Sequence, residues 1–389
     1  MRNSGVVTEQ AAQLEDTRFL KYVGGETALV AQGGGQRGIF TSGVIDAFLY
    51  ANFDPFNAFY GTSAGAMNLC AYLCRQAGLG RSFLIDLTTQ PEFFSLFGYI
   101  RHKQPLGLNW ALNKIRQYPY KLDIDMGRRV LADREALASV TDSVHLQDKY
   151  YPFLGEDWFK VLMATCAIPR LYDGEVDING VGYVDGGISA SIPIQEAWRR
   201  DARLIVVIRT ENINVPVPSD IAPEKAIHSE GNSVPIWLQD SVNVLQRQWD
   251  RRVSRWKDDW AGFLKEQFDK STPHKDFPNL ANSLNGGRWL FGAGDVYRLS
   301  HILGERFDSG LADMLMVHYQ TYSLTQDFIH NTPEDCFIVQ IAPEAPLKSG
   351  PLLSSKDDLL SDYLVGLRAG QRFIESYAQA ERFVRLHAS

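Results

Sequence analysis

Cysteine is scarce in this chain: four in 389 residues, too few for a disulfide framework. Cys70 and Cys74 stand four apart in a stretch of helical pattern and read as small apolar packing groups. No group of His and Cys has zinc-ligand spacing, and neither a metal nor another cofactor is expected. Positive charge is not in excess. The net charge is −7 and the pI about 5.7, which excludes a general nucleic-acid binder. No apolar run reaches the roughly 20 residues of a membrane-spanning helix. Residues Met1 to Leu20 are polar and mixed in charge, without the basic start and apolar centre of a signal peptide. The expected location is the cytoplasm or the surface of a membrane. There is no internal repeat and no low-complexity segment. What is present in quantity is apolar mass, 45% of residues, enough for a large core without covalent staples.

The pattern along the chain alternates strands with helices. Thr27 to Gln32 is a short apolar run ending in three glycines and reads as a buried strand. Ile39, Val44, Phe48 and Leu49 suit a helix opening just after them. Asn57 to Tyr60 is a second strand, which runs straight into Gly61, and Ala66 to Cys74 is apolar nearly all round, the mark of a buried helix. Asp157 to Ala167 is helical in pattern and stops at Pro169. Glu175–Ile178 and Val181–Val184 flank Asn179-Gly180, a strong hairpin signal, and the second of these strands delivers Asp185 at its end. Leu204 to Ile208 is a continuous apolar strand of the kind buried on both faces. This order predicts an α/β three-layer α/β/α sandwich on a mainly parallel central sheet.

Composition then changes. Pro216, Pro218 and Pro223 mark a linker-like exit, followed by a tryptophan-rich stretch. Residues 1–214 are expected to form the core, 215–310 a helical insertion, and 311–389 to complete the core. Within the insertion, Trp249, Trp256 and Trp260 recur at helical spacing, with Arg251, Arg252, Arg255 and Lys257 on other faces. Two readings stand: an amphipathic helix packed on the domain, or a lid that touches substrate or membrane headgroups. Asp362 to Val384 is one long helical pattern in which Gly366 and Gly370 would permit close helix packing.

Three short segments carry the chemistry. Gly61-Thr62-Ser63-Ala64-Gly65 sits between a predicted strand and a predicted helix, the context of a nucleophile elbow. Alone it is equally a helix N-cap serine among glycines. Gly33-Gly34-Gly35-Gln36-Arg37-Gly38 also fits the dinucleotide pattern Gly-X-Gly-X-X-Gly. A dinucleotide site, however, needs an acidic residue at the end of the next strand, and that strand ends in Gly61-Thr62-Ser63. Main-chain amides of Gly33, Gly34, Gly35, Arg37 and Gly38 suit an oxyanion better, with the Arg37 side chain bracing the loop. Asp185-Gly186-Gly187 supplies a carboxylate at the end of a strand. In this order the segments provide backbone donors, a hydroxyl and a proton acceptor, the needs of acyl transfer through Ser63 with Asp185 as base.

The combination of Gly-Gly-Gly-X-Arg-Gly, Gly-X-Ser-X-Gly and Asp-Gly-Gly resembles the patatin-like phospholipase family. Ala164-Thr-Cys-Ala-Ile-Pro169 is similar to that family's stretch before its aspartate, the likeness runs from about Thr27 to Thr210, and the tail around Asp362 to Phe373 is similar to the bacterial branch. The resemblance implies a Ser63–Asp185 dyad without a catalytic histidine, an oxyanion hole in the Gly33–Gly38 loop, lipid ester substrates and no metal. Two other readings are open. One is a Ser–His–Asp hydrolase using a late histidine such as His318, and the other is a non-catalytic lipid-binding adaptor that keeps the fold.

Overall fold

A computed structural model of the chain describes residues 4–7, 17–93, 107–169, 172, 174–213 and 309–387. Residues 214–308 lie outside them, and with them the tryptophan-rich stretch and the expectations for Trp249, Trp256 and Trp260. Met1–Pro216 and Val296–Ser389 fold together as one unit, and Val217–Asp295 is a second.

The first unit contains, in chain order, β1 (Ser4–Val7), α1 (Thr17–Tyr22), β2 (Thr27–Ala31), α2 (Gly38–Tyr50), β3 (Ala58–Gly61), α3 (Ala64–Leu73) and α4 (Leu79–Ser82). There follow α5 (Leu108–Lys114), α6 (Ile124–Leu131), β4 (Glu135–Asp142), β5 (Asp148–Pro152), α7 (Trp158–Thr165), β6 (Val176–Ile178), β7 (Val181–Asp185) and α8 (Gly187–Ala190). The last elements are α9 (Ile194–Arg199), β8 (Leu204–Ile208), α10 (Ser309–His330), β9 (Phe337–Ile341) and α11 (Lys356–His387). Strands lie in the order β1-β9-β8-β2-β3-β4-β7-β6, with β5 joining β4. From β1 through β4 every pair is parallel, and β4–β7, β6–β7 and β4–β5 are antiparallel.

Side-chain alternation makes this sheet the middle of three layers. Leu29, Phe59, Ala136, Val206 and Val339 point into one core with α2 and α3. Their neighbours Ala28, Tyr60, Leu137, Ile205 and Ile338 point into the other, with Ile194 and Ala197 of α9 and Ile329 of α10. Burial on both faces is why β8 reads Leu-Ile-Val-Val-Ile without a polar break. β4 was not legible in the same way, because its buried positions include Ser139 and Thr141, which the site uses. β9 is a five-residue strand interrupted by the polar Gln340, and so short a run is ambiguous without flanking turn signals.

The C-terminal helix is built into the core. α11 begins at Lys356, ahead of the predicted Asp362, and lies along α2. A Cβ on Gly366 would collide with the Phe40 carbonyl, and one on Gly370 would crowd Val44 and Ala47, so the two backbones approach as the glycines suggested. Asp46 of α2 accepts from Tyr363 Oη and from the Gly78 N–H, both at 2.8 Å. Burial raises the Asp46 pKa against these bonds. Replacing Gly366→Leu is expected to destabilise the protein by about 3 kcal/mol through overpacking, read as a lower thermal midpoint by calorimetry. An unchanged midpoint would contradict this helix contact.

Candidate active site

Sheet register brings the serine and the aspartate to one place. Gly61, at the end of β3, pairs with Ala138 of β4, and Asp185, at the end of β7, pairs with Val140. Those two β4 positions are separated by about 7 Å of strand. Ser63 and Asp185, 122 positions apart in sequence, therefore flank one central strand at its end. Beneath them runs a chain of hydroxyls. Thr62 Oγ1 lies 2.6 Å from Ser139 Oγ and donates to the Ala190 carbonyl at 2.7 Å, while Thr141 Oγ1 donates to the Asp185 carbonyl at 2.8 Å. This explains the polar residues buried in β4: they tie the serine's strand to the aspartate's loop.

Ser63 occupies a tight corner between β3 and α3, with φ 52° and ψ −124°. A non-glycine residue held there stores about 1–3 kcal/mol of strain. The corner closes because its neighbours are small. A Cβ on Gly65 would strike the Ala31 carbonyl, and one on Gly61 would strike the Ala66 backbone. The Ser63 N–H donates to Thr165 Oγ1 at 2.8 Å, and the positive end of the α3 dipole lies beside the hydroxyl. Sequence reasoning gave Thr165 no role, although it stands in the Ala164–Pro169 segment. That segment ends α7, whose C-terminal turn packs against the elbow.

The Asp185 carboxyl is only 7% exposed. Burial pushes its pKa up to about 7, opposed by the Gly187 N–H, which donates to Oδ1 at 2.5 Å, and by the nearby Ser63 hydroxyl. The Ser63 hydroxyl thus stands within hydrogen-bonding reach of the Asp185 carboxyl. The Cys166 thiol also faces both groups, and burial and the Asp185 charge push its pKa up.

The glycine loop follows β2 on the other side of Ser63. Its amides are mostly spoken for. Gly33 N–H donates to the Ser191 carbonyl at 3.1 Å, Gln36 N–H to Pro351 at 2.9 Å and Arg37 N–H to Gly34 at 3.2 Å. The Gly38 N–H turns back to the carbonyls of Gly35 and Gln36. The amides of Gly33, Arg37 and Gly38 are thus unavailable to a ligand in this arrangement, because they hold the loop. Those of Gly34 and Gly35 have no acceptor among the described residues. The Arg37 guanidinium pairs with Glu211 at 2.9 Å, the bracing role read from the sequence. Glu211 in turn accepts from Tyr322 Oη at 2.6 Å, and its pKa is lowered by that bond and by Arg37 and Arg209, which overcome its burial.

From Ser63 and Gly35 a cavity runs into the core. Its walls include Met67 and Ala71 of α3, Leu112 of α5, Phe83, Leu122 and Leu352, and they are almost wholly apolar. Pro351 and Leu352, from the C-terminal part of the chain, line the same cavity as Ser63. No sequence signal pointed to them. His318 lies in α10, and its Nδ1 is 2.7 Å from the Gly187 carbonyl.

A family model described as patatin-like phospholipase matches residues 29–198, and a domain of unknown function matches 308–381. The uncharacterised protein YjjU of Escherichia coli K12 is 31% identical over 355 residues, 90% of this chain and 77% of that protein. The chain belongs to the patatin-like phospholipase family. The family is one of lipid acyl hydrolases, and the α/β fold with its mostly parallel sheet accords with it. Among solved structures, VipD from Legionella pneumophila aligns over 93% of this chain and 67% of its own length, with 14% identity and a TM-score of 0.35. No helix among the described residues is long and apolar enough to cross a membrane.

The Asp185 environment has a consequence for stability. Its folded pKa, near 7, lies above the ordinary 3.8, so folding favours the neutral acid. The stability this confers is complete below about pH 4 and is lost as pH rises through 7. Asp185→Asn is therefore expected to stabilise the protein at pH 8 by on the order of 4 kcal/mol and to change little at pH 4, measured by denaturant melts at both values. Equal effects at the two pH values would contradict a buried, uncompensated carboxylate.

Proposed function

We propose that this member of the family is a serine acyl hydrolase of lipid esters, working through Ser63 and Asp185 with the Gly34 and Gly35 amides as oxyanion donors. The observation that carries the reading is a strained Ser63 lining the apolar cavity together with Gly35, with the buried Asp185 carboxyl of raised pKa beside its hydroxyl. A carboxylate at its ordinary pKa near 3.9 is a poor base. Burial raises its proton affinity, so the proton of Ser63 Oγ has an acceptor near neutral pH.

In the proposed cycle the ester's acyl chain lies in the apolar cavity and its carbonyl faces Ser63. Ser63 Oγ bonds to the carbonyl carbon while its proton passes to Asp185. The oxygen that gains charge is held by the Gly34 and Gly35 N–H groups and the end of the α3 dipole. Asp185 then gives the proton to the departing alkoxide as the carbon–oxygen bond breaks, leaving an acyl-serine and an alcohol. Water enters, loses a proton to Asp185, and releases the fatty acid as the proton returns to Ser63. No histidine is needed. The alternative with His318 in a triad is disfavoured by its bond to the Gly187 carbonyl.

The direct check is Ser63→Ala against a short-chain p-nitrophenyl ester and a fluorophosphonate probe. The variant is expected to lose at least about 10³-fold in kcat and all labelling while keeping its fold. Undiminished turnover in Ser63→Ala would refute the nucleophile. A folded wild-type protein inert to both reagents would favour the non-catalytic adaptor.

A further inference from the structure

The loop that carries Asp185 turns at once into α8, a helix of four residues, Gly187–Ala190. So short a helix cannot satisfy its own carbonyls, which need donors from elsewhere. α10 approaches them. His318 Nδ1 lies 2.7 Å from the Gly187 carbonyl, and Thr321 Oγ1 lies 3.2 Å from the Ile188 carbonyl while bonding the Val317 carbonyl of its own helix at 2.8 Å. A carbonyl oxygen only accepts, so Nδ1 carries the hydrogen. One turn on, Tyr322 stacks on the His318 ring, with 6.1 Å between centroids, and bonds Glu211 and Arg209 beside the glycine loop. α10 falls within the 308–381 segment and outside the patatin-matching region. It thus grips the aspartate's loop through side chains that the family's shared core does not supply.

We propose that His318 is a positioning residue for Asp185, fixing the orientation of Gly187 so that its N–H stays aimed at the carboxylate. The inference rests on the reading of Asp185 as the base. Gly187 is the hinge of the argument. Its carbonyl is held from α10, and its N–H is one of the few groups that favour the charged form of Asp185 against burial. The groups facing that carboxyl are the Ser63 hydroxyl, the Cys166 thiol and this N–H. None is a cation, so loss of the N–H leaves no charged substitute. With His318 gone, Gly187 is free to turn and the carboxylate becomes harder to form. The deficit then appears at the base and not in substrate binding.

The test compares His318→Leu, which removes the donor, with His318→Asn, whose amide nitrogen stands near the position of Nδ1. Both are assayed as full-length protein on p-nitrophenyl butyrate across pH 5 to 9, with circular dichroism to confirm folding. His318→Leu is expected to lower kcat at pH 7 by about tenfold, leave KM within about twofold, and move the acidic limb of the kcat profile upward by about half a pH unit or more. His318→Asn is expected to recover most of the rate and return the limb towards its original place. A folded His318→Leu with an unmoved acidic limb overturns the proposal, as does an Asn variant no better than Leu. Wild-type protein that turns over no ester overturns the base assignment itself, and this proposal with it. Complete loss of activity in both variants at every pH, with fold intact, would instead assign the histidine a direct chemical role.

Discussion

A carboxyl group withheld from water sets the terms for the rest of this molecule. Asp185 lies at the end of β7, held by the Gly187 N–H and the Ser63 hydroxyl, and burial pushes its pKa towards neutrality. Such a group lowers stability whenever it is charged, so it persists only where the surrounding structure holds it. Here the hold is a set of neutral hydrogen bonds. Thr141 bonds the Asp185 carbonyl, Ser139 and Thr62 tie the neighbouring strand, and His318 of α10 takes the Gly187 carbonyl of the following turn. Among the described residues no cation acts to lower the pKa again. The arrangement suits a proton acceptor better than an ion pair would.

The same economy governs the serine side. The elbow at Ser63 is strained, and the strain is sustained by close backbone contacts at Gly61 and Gly65 and by the Thr165 bond to the Ser63 N–H. The glycine loop spends most of its amides on its own geometry, which leaves Gly34 and Gly35 for an incoming charge. Both halves lean on the C-terminal part of the chain. Pro351 accepts from Gln36 within the loop, Leu352 lines the cavity, and α11 packs along α2, the helix that the loop enters. The segment that matches a domain of unknown function is therefore part of the construction of this candidate site.

Much of the centre was legible in the sequence because its signals are local. Small residues around Ser63, three glycines after an apolar strand, and Asn179-Gly180 aiming Asp185 each follow from what a few adjacent residues can do. β4 was hidden because its interior carries hydroxyls that serve the site, which breaks the apolar pattern of a buried strand. Thr165, Pro351, Leu352 and His318 were hidden for another reason. Their parts depend on what stands opposite them in space, and no spacing along the chain encodes that. The triad reading of His318 shows the limit well. Chain order allowed it, and only the bond to the Gly187 carbonyl separates a neighbouring histidine from a catalytic one. The tryptophans at 249, 256 and 260 lie outside the described residues, and their two readings stand as they did.

The central claim is that Ser63, the Gly34 and Gly35 amides and the apolar cavity act on one acyl group. A crystal structure of the protein after reaction with a long-chain alkyl fluorophosphonate tests it most directly. The account predicts phosphorus bonded to Ser63 Oγ, the phosphoryl oxygen within about 3.1 Å of the Gly34 and Gly35 nitrogens, and the alkyl chain lying along Met67 and Ala71. Phosphorus on another side chain, or a phosphoryl oxygen turned away from both amides, would contradict it.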